Sequence, residues 1–372
     1  MQYHSKLMKQ YNTIILAAAV IICAACTKDI EYTGPDSERM LVVNSVTRSG
    51  NTPVFKISHT AFFLDSRYTG TTLKDDVTID VDINGVTRQA AYVDTLYGFS
   101  DGRTIKDGDI LSIRASHPRF GTIRATDTVP HAQNCLFSDY RKEYVPTQTM
   151  SELFDDFVLG FDDSKVDSVW VTELEIQGID NKKDFYLLNI KPSVFYYQYN
   201  EWTNQYDTLE KVLHFKIPSE TKILLGQTDG ATAVLEETEA DSQFEWGTTE
   251  FMFDDLHIKD GNKFSFDIMM EKPDTLAYIL TNSDQGYSES TSPYSIADKI
   301  KDEIVYSVTV QLYVLSDAYY YYHKSVNDYI DADDLSFLSE PVTIIHNIKG
   351  GAGIVATYTS RTFHKEFKYK FK

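Results

Sequence analysis

The sequence predicts a mainly β protein: an immunoglobulin-like β-sandwich over residues 39–131, then a larger antiparallel β domain over residues 132–372 with one helix near residues 316–330. Three observations carry this expectation. The chain holds 25 Tyr and 21 Phe, residues that suit a pleated, half-buried surface. Apolar and polar residues alternate with a period of two in one segment after another. Turn formers such as Asn84-Gly85 and Lys106-Asp107-Gly108-Asp109 punctuate those segments at short intervals.

Ahead of the sandwich, Lys6 and Lys9 precede an apolar run from Ile14 to Cys26, and Ala24-Ala25 forms a small-residue cleavage site, so residues 1–25 read as a signal peptide. The run is shorter than the ~20 residues a membrane-spanning helix needs. Cys26 stands directly behind the small pair, where a thiol takes a diacylglyceryl group before cleavage, although Cys23 occupies the position usually held by Leu in such a box. Residues 26–38 then read as a lipidated tether, polar and acidic with Gly34-Pro35 near its end. With Cys23 removed and Cys26 acylated, Cys135 is the remaining thiol, which excludes an intramolecular disulfide and marks Cys135 as a small buried hydrophobe.

In the first domain, Met40–Val46 and Val54–Ser58 form a hairpin-like pair around Ser49-Gly50-Asn51-Thr52-Pro53. Val77, Ile79, Val81 and Ile83 alternate with Thr78, Asp80 and Asp82, and Asn84-Gly85 supplies the positive φ angles of a two-residue turn into a return strand, Val86–Val93. Leu111, Ile113 and Ala115 mark the next strand, and Thr122–Thr128 ends at Val129-Pro130. Roughly seven short strands in this span make a sandwich of immunoglobulin type. The domain boundary is expected within Pro130–Ser151.

The second domain opens with Trp170, Thr172, Leu174 and Ile176 on one face of a strand. Phe185–Ile190, Val194–Tyr199 and Val212–Ile217 follow, then Phe251–Ile258 and Phe264–Met270 on either side of a turn at Lys259-Asp260-Gly261-Asn262. In Ile304–Leu315 one face carries Ile304, Tyr306, Val308, Val310, Leu312 and Val314. Ser316 suits a helix N-cap, with Tyr319, Tyr322, Val326 and Ile330 as the apolar stripe. Strands Val342–Ile348 and Ile354–Thr359 flank Gly350-Gly351-Ala352-Gly353.

The formal net charge of −20 argues against a phosphate-binding surface, so nucleic acid is not an expected partner. The glycine cluster lacks the Lys-Ser/Thr of a phosphate loop and runs into Ile354-Val355, which reads as close backbone packing. Asp331, Asp333 and Asp334 fail an EF-hand count, because Ser336 and Val342 stand where Gly and Glu are required. The histidines show no zinc spacing, and no Gly-x-Ser-x-Gly elbow is present. No catalytic residue, metal ligand or cofactor is therefore expected. The best candidate contact surface is the aromatic group Phe195, Tyr196, Tyr197, Tyr199, Trp202 and Tyr206, whose rings suit stacking on a sugar or peptide or anchoring a protein partner, with alternation placing half of them in the core. The loop Thr281–Ser295 is a second candidate.

Several pieces recur together in a known family. The lipidated start runs into Leu41-Val42-Val43-Asn44, and a strand ends across Thr122–Pro130. A C-terminal block then runs from Leu315-Ser316 through a Tyr-rich helix to Ser339-Glu340-Pro341-Val342 and Asn347-Ile348-Lys349-Gly350-Gly351-Ala352-Gly353-Ile354. In this order they resemble domain-of-unknown-function family 4249, lipoproteins encoded beside SusC-like TonB-dependent outer-membrane transporters. Cys23 departs from the family's pattern, as does Val355, where the family tends to an aromatic. Lys28, Asp29 and Glu31 resemble the address that sends such lipoproteins to the cell surface. The resemblance implies a non-enzymatic outer-membrane lipoprotein, held by lipid on Cys26 and facing the exterior, that assists a SusC-like β-barrel in capture and uptake of a peptide or glycan nutrient. The alternative is a stand-alone surface lipoprotein that binds the glycan or peptide itself. The resemblance carries over no catalytic or ligand residue.

Overall fold

The computed structural model describes residues 39–61, 72–146, 166–178, 183–200, 202–213, 215–217, 249–255, 263–270, 303–333 and 343–370. Within them the chain is mainly β-strand with a single helix, arranged as β-sandwich layers. Strands β1 (Leu41–Arg48) and β2 (Val54–His59) pair antiparallel and bury Leu41, Val43, Phe55 and Ile57. Strand β3 (Thr78–Ile83) buries Ile79, Val81 and Ile83, as the alternation predicts, and Asn84 (φ 53°) with Gly85 (φ 82°) turns the chain into β4 (Val86–Gln89). The expected return strand Val86–Val93 breaks at buried Ala90: β4 stays on β3, while β5 (Ala91–Val93) pairs with β6 (Leu96–Gly98), which joins β2. Strands β7 (Ile110–His117) and β8 (Gly121–Thr128) complete a four-stranded sheet in the order β4-β3-β7-β8. Its inner residues Ile79, Val81, Leu111, Ile113 and Ile123 share one apolar cluster with Leu41, Val43, Phe55 and Ile57.

In the second region β9 (Asn134–Phe137) and β10 (Arg141–Pro146) lie along one edge of β11 (Val166–Gln177). The segments expected as Phe185–Ile190 and Val194–Tyr199 are one continuous strand, β12 (Phe185–Asn200). Proline interrupts a ladder by withholding a donor, yet here it interrupts nothing. Pro192 falls where the neighbour on one edge of β12 changes from β15 (Thr249–Asp254), which ends opposite Ile190, to β13 (Gln205–Val212), which starts opposite Ser193. Its carbonyl accepts the Leu213 N–H at 2.9 Å.

The expected strand Val212–Ile217 divides at buried Leu213, and β14 (Phe215–Lys216) pairs with β16 (Lys263–Met270) on the far edge of β11. Strands β15 and β16, expected to flank one turn, thus belong to different sheets, a choice of partner that local alternation does not encode. Strand β17 (Glu303–Leu315) buries Tyr306, Val308, Val310, Leu312 and Val314 as predicted, and β18 (Ala352–Lys370) is the longest described strand. Residues 343–348, expected in a strand, are not in one. Instead the Asn347 side chain accepts the Val355 N–H at 3.1 Å and donates to the Val355 carbonyl at 2.6 Å, taking the place of a strand neighbour.

A nine-stranded sheet follows the path β13-β12-β17-β18-β1-β2-β6-β5, with β15 also on β12. Strands β1 and β2 come from the segment expected as the first domain and β18 from the second, so the two segments share this sheet. Its β12, β15 and β17 residues Tyr186, Leu188, Phe253, Val308 and Val310 pack with Leu174, Ile176, Phe266 and Ile268 of the five-stranded sheet. Helix α1 (Asp317–Asp333) begins where the Ser316 hydroxyl accepts the Tyr319 N–H at 3.3 Å, the N-cap the sequence predicts. The stripe is rotated from expectation: Tyr320 is the deepest of the tyrosines and stacks on Phe185 at 4.2 Å, while Tyr319, Tyr322 and Val326 are half-buried. The helix caps the Phe185–Leu315 end of the sheet, and that apolar floor selects its buried side.

Strand β1 runs parallel to β18, from Val42 opposite Ala352 to Arg48 opposite Tyr358. The glycine cluster makes this approach possible. Gly353 has φ 102°, and a Cβ there would overlap the Val43 carbonyl oxygen; a Cβ on Gly351 would overlap that of Leu41. Farther along, the Thr357 hydroxyl donates at 2.7 Å to the buried Asp127 carboxylate of β8, and the Ser316 N–H donates to the Thr357 carbonyl at 3.0 Å, tying three elements at one point. Burial pushes the Asp127 carboxyl up to about 6, against the pull of hydrogen bonds from Thr357 and Ser316.

Two outcomes are expected. Gly353→Ala should lower stability in urea titration by about 3 kcal/mol or more, since it adds both strain and a backbone clash. Because folding raises the Asp127 pKa from about 3.9, its favourable contribution is complete below pH ~4 and is lost as pH rises through about 6. The stability of the native chain relative to Asp127→Asn should therefore fall by about 3 kcal/mol between pH 4 and pH 7.

Candidate functional site

Strands β12 and β13 form a hairpin in which Tyr196 faces Leu209, Tyr197 faces Thr208 and Tyr199 faces Tyr206. The side chains of Tyr196, Tyr197 and Tyr199 lie outside the described ones. Trp202 sits in the connecting turn, where Asn204 takes a φ of 54°, and it is 99% exposed; Tyr206 is 47% exposed. Phe195 is half-buried while its neighbour Val194 lies in the core. Of the group's described side chains, Trp202 and Tyr206 are thus exposed at the turn end and Phe195 is half-buried where the hairpin meets the sheet.

The face of the sheet turned away from its apolar core carries a polar belt beside this hairpin, in which Asn189, Ser193 and Ser307 are buried. On β12, Lys191 forms an ion pair with Glu210 of β13 at 2.9 Å, and the Ser193 hydroxyl donates to the same carboxylate at 2.8 Å. The hydrogen bond from Lys191 is the main cause that holds the Glu210 carboxyl below its ordinary range. On β17 and β18, Thr309 Oγ1 lies 3.0 Å from His364 Nδ1, and His364 Nε2 lies 2.9 Å from Glu366 Oε1. The Tyr313 hydroxyl donates to Gln311 Oε1 at 2.9 Å. Hydroxyl, imidazole and carboxylate in series have the outline of a nucleophile chain. However, Thr309 sits mid-ladder between Lys191 and His364, so its neighbouring backbone N–H groups serve the sheet and none converges as an oxyanion hole. What this arrangement offers is hydrogen bonding to a polar surface, with each formal charge already matched. The sequence signal for it was the polar half of the alternation, Asn189-Lys191-Ser193 and Ser307-Thr309-Gln311, but nothing local assigns these two strands to each other.

Comparison with known families places this molecule among relatives. Residues 27–364 match the family profile described as "Domain of unknown function (DUF4249)". The chain belongs to this family. No curated protein matches it.

In this DUF4249 protein, an acidic pair, Asp254-Asp255, lies at the end of β15. The Asp255 carboxylate accepts the Asp184 N–H at 3.0 Å, and Asp254 lies 3.8 Å from Lys183, so the pair is engaged in structural contacts. Lys183 in turn sits over the Phe185 ring at 4.6 Å and donates to the Tyr321 hydroxyl at 3.1 Å. Of the residues singled out from sequence, Cys26, Asp334 and the loop Thr281–Ser295 lie outside the described residues. Among the described residues no cluster of three or more His, Cys, Asp or Glu is placed to hold a metal ion, and no helix is long and apolar enough to cross a membrane. Cys135 is 5% exposed in the core between the sheets, and burial pushes its thiol up to about 12.

Such a thiol is inert while the fold is intact. At pH 8 the native protein should leave Cys135 unmodified by an aromatic disulfide reagent, with labelling appearing at the rate of unfolding when urea is added.

Proposed function

We propose that this DUF4249 protein is a lipid-anchored, non-enzymatic accessory of an outer-membrane assembly, with a SusC-like β-barrel transporter as its partner in nutrient capture. The observation that carries the reading is Cys26 directly behind Ala24-Ala25 and a short apolar run. The family match supports it, since it begins at residue 27, immediately after that cysteine. The acidic tether and the net charge of −20 suit a body held off an anionic bilayer rather than lying on it. A second reading, in which the chain binds a peptide or glycan unaided, draws on the exposed rings of Trp202 and Tyr206.

Mass spectrometry of the native protein should find a diacylglyceryl thioether on Cys26. Purification from solubilised outer membrane should retain a β-barrel protein, and Cys26→Ala should release the chain from the membrane fraction. An unmodified N-terminus, or a complex lacking any barrel, overturns the accessory reading. Affinity of the purified chain alone for a peptide or glycan, lost in Trp202→Ala, favours the second.

A further inference from the structure

At the turn end of the β12–β13 hairpin the described ladder narrows to two strands. Pairing of β17 with β12 runs as far as Phe195 opposite Val305, and among the described residues Tyr196–Asn200 are registered with β13 alone. The two strands extend as an arm for five residues, roughly 17 Å at the usual strand rise. Along it Trp202 and every residue from Thr203 to Thr208 are exposed, and the largest apolar side chain of the arm, Trp202, is the most exposed of all. The two-stranded ladder fixes the backbone that carries the indole, which reduces the ordering cost of binding.

We propose that this arm is a docking element that seats Trp202 in an apolar pocket of a protein partner whose rim carries Lys or Arg side chains. The rim follows from charge. Asp207 lies on the arm, Glu201 precedes Trp202 in the sequence, and the chain as a whole is strongly acidic. Tryptophan in a desolvated pocket with such a rim is the usual composition of a binding hot spot. Lipid is a poor occupant, since acids flank the indole. The arm also lies beside the Lys368 end of β18, whereas the tether leads into β1 beside Ala352 at its other end. The 19 residues of β18 separate these ends by roughly 60 Å along the strand. Only that last step rests on anchorage through Cys26; the docking geometry does not.

The test is a photo-reactive benzoylphenylalanine at position 202 of the full chain in its own cells, with the same group at position 345, also exposed, as control. The expected result is an adduct specific to position 202 with a protein, mapping to a peptide in which aliphatic or aromatic residues are flanked by Lys or Arg. Binding of that protein should weaken at least tenfold in Trp202→Ala, less in Trp202→Phe, and further as salt is raised. No adduct, an adduct with lipid or polysaccharide, an acidic contact peptide, or unchanged affinity in Trp202→Ala overturns the proposal. A barrel protein retained equally by Trp202→Ala overturns it while leaving the accessory role standing. An adduct with a basic-rimmed protein other than a barrel supports docking and counts against that role.

Discussion

The first and last of the described strands lie side by side, and that contact sets the terms for the other layers. Strand β1 reaches its place only because the backbone of β18 can come within touching distance of it, which demands residues without a Cβ at Gly351 and Gly353. Once they are joined, β2, β6 and β5 extend the sheet on one side and β17 and β12 on the other. The four-stranded sheet then covers the first half and the five-stranded sheet the second. Asp127, Thr357 and Ser316 reinforce the same seam from its interior, with an acid in a setting too dry for its charge to be comfortable. Polar links of this kind fix which elements meet, at some expense in stability.

Much of this architecture could be read from residues alone, and the boundary of what could be read is instructive. The β3 turn at Asn84-Gly85, the buried alternation of β17 and the Ser316 cap are all decided within a few residues of chain, and the structure bears them out. What could not be read was choice of neighbour. Phe185–Ile190 and Val194–Tyr199 read as separate strands, yet β12 runs through Pro192 between them because the adjoining strand changes at that place. Ile344 and Ile345 invited a strand, but Asn347 satisfies Val355 with its side chain and no ladder forms along residues 343–348. The helix shows the same limit: periodicity found its length, whereas the floor formed by Phe185 and Leu315 decided that Tyr320 would point inward.

The candidate surface was legible to a similar degree. Trp202 and Tyr206 could be picked out as aromatic residues at the end of a strand, but their exposure depends on where β17 stops, a fact of distant chain. The polar belt was the harder case. Each of Lys191, Thr309 and His364 looks like the ordinary wet half of a strand, and only cross-strand register brings hydroxyl, imidazole and carboxylate into line. Inward faces are specified by burial, which sequence records as alternation; outward faces are specified by neighbours, which it records far less directly.

A sheet whose central seam joins residues 42–48 to residues 352–358 cannot close until both segments have been made. Contacts between positions some three hundred residues apart slow folding, because chain entropy must be surrendered before they form. Until residues 352–358 leave the ribosome β1 has no β18 to lie against, and a product cut short before them cannot close its seam.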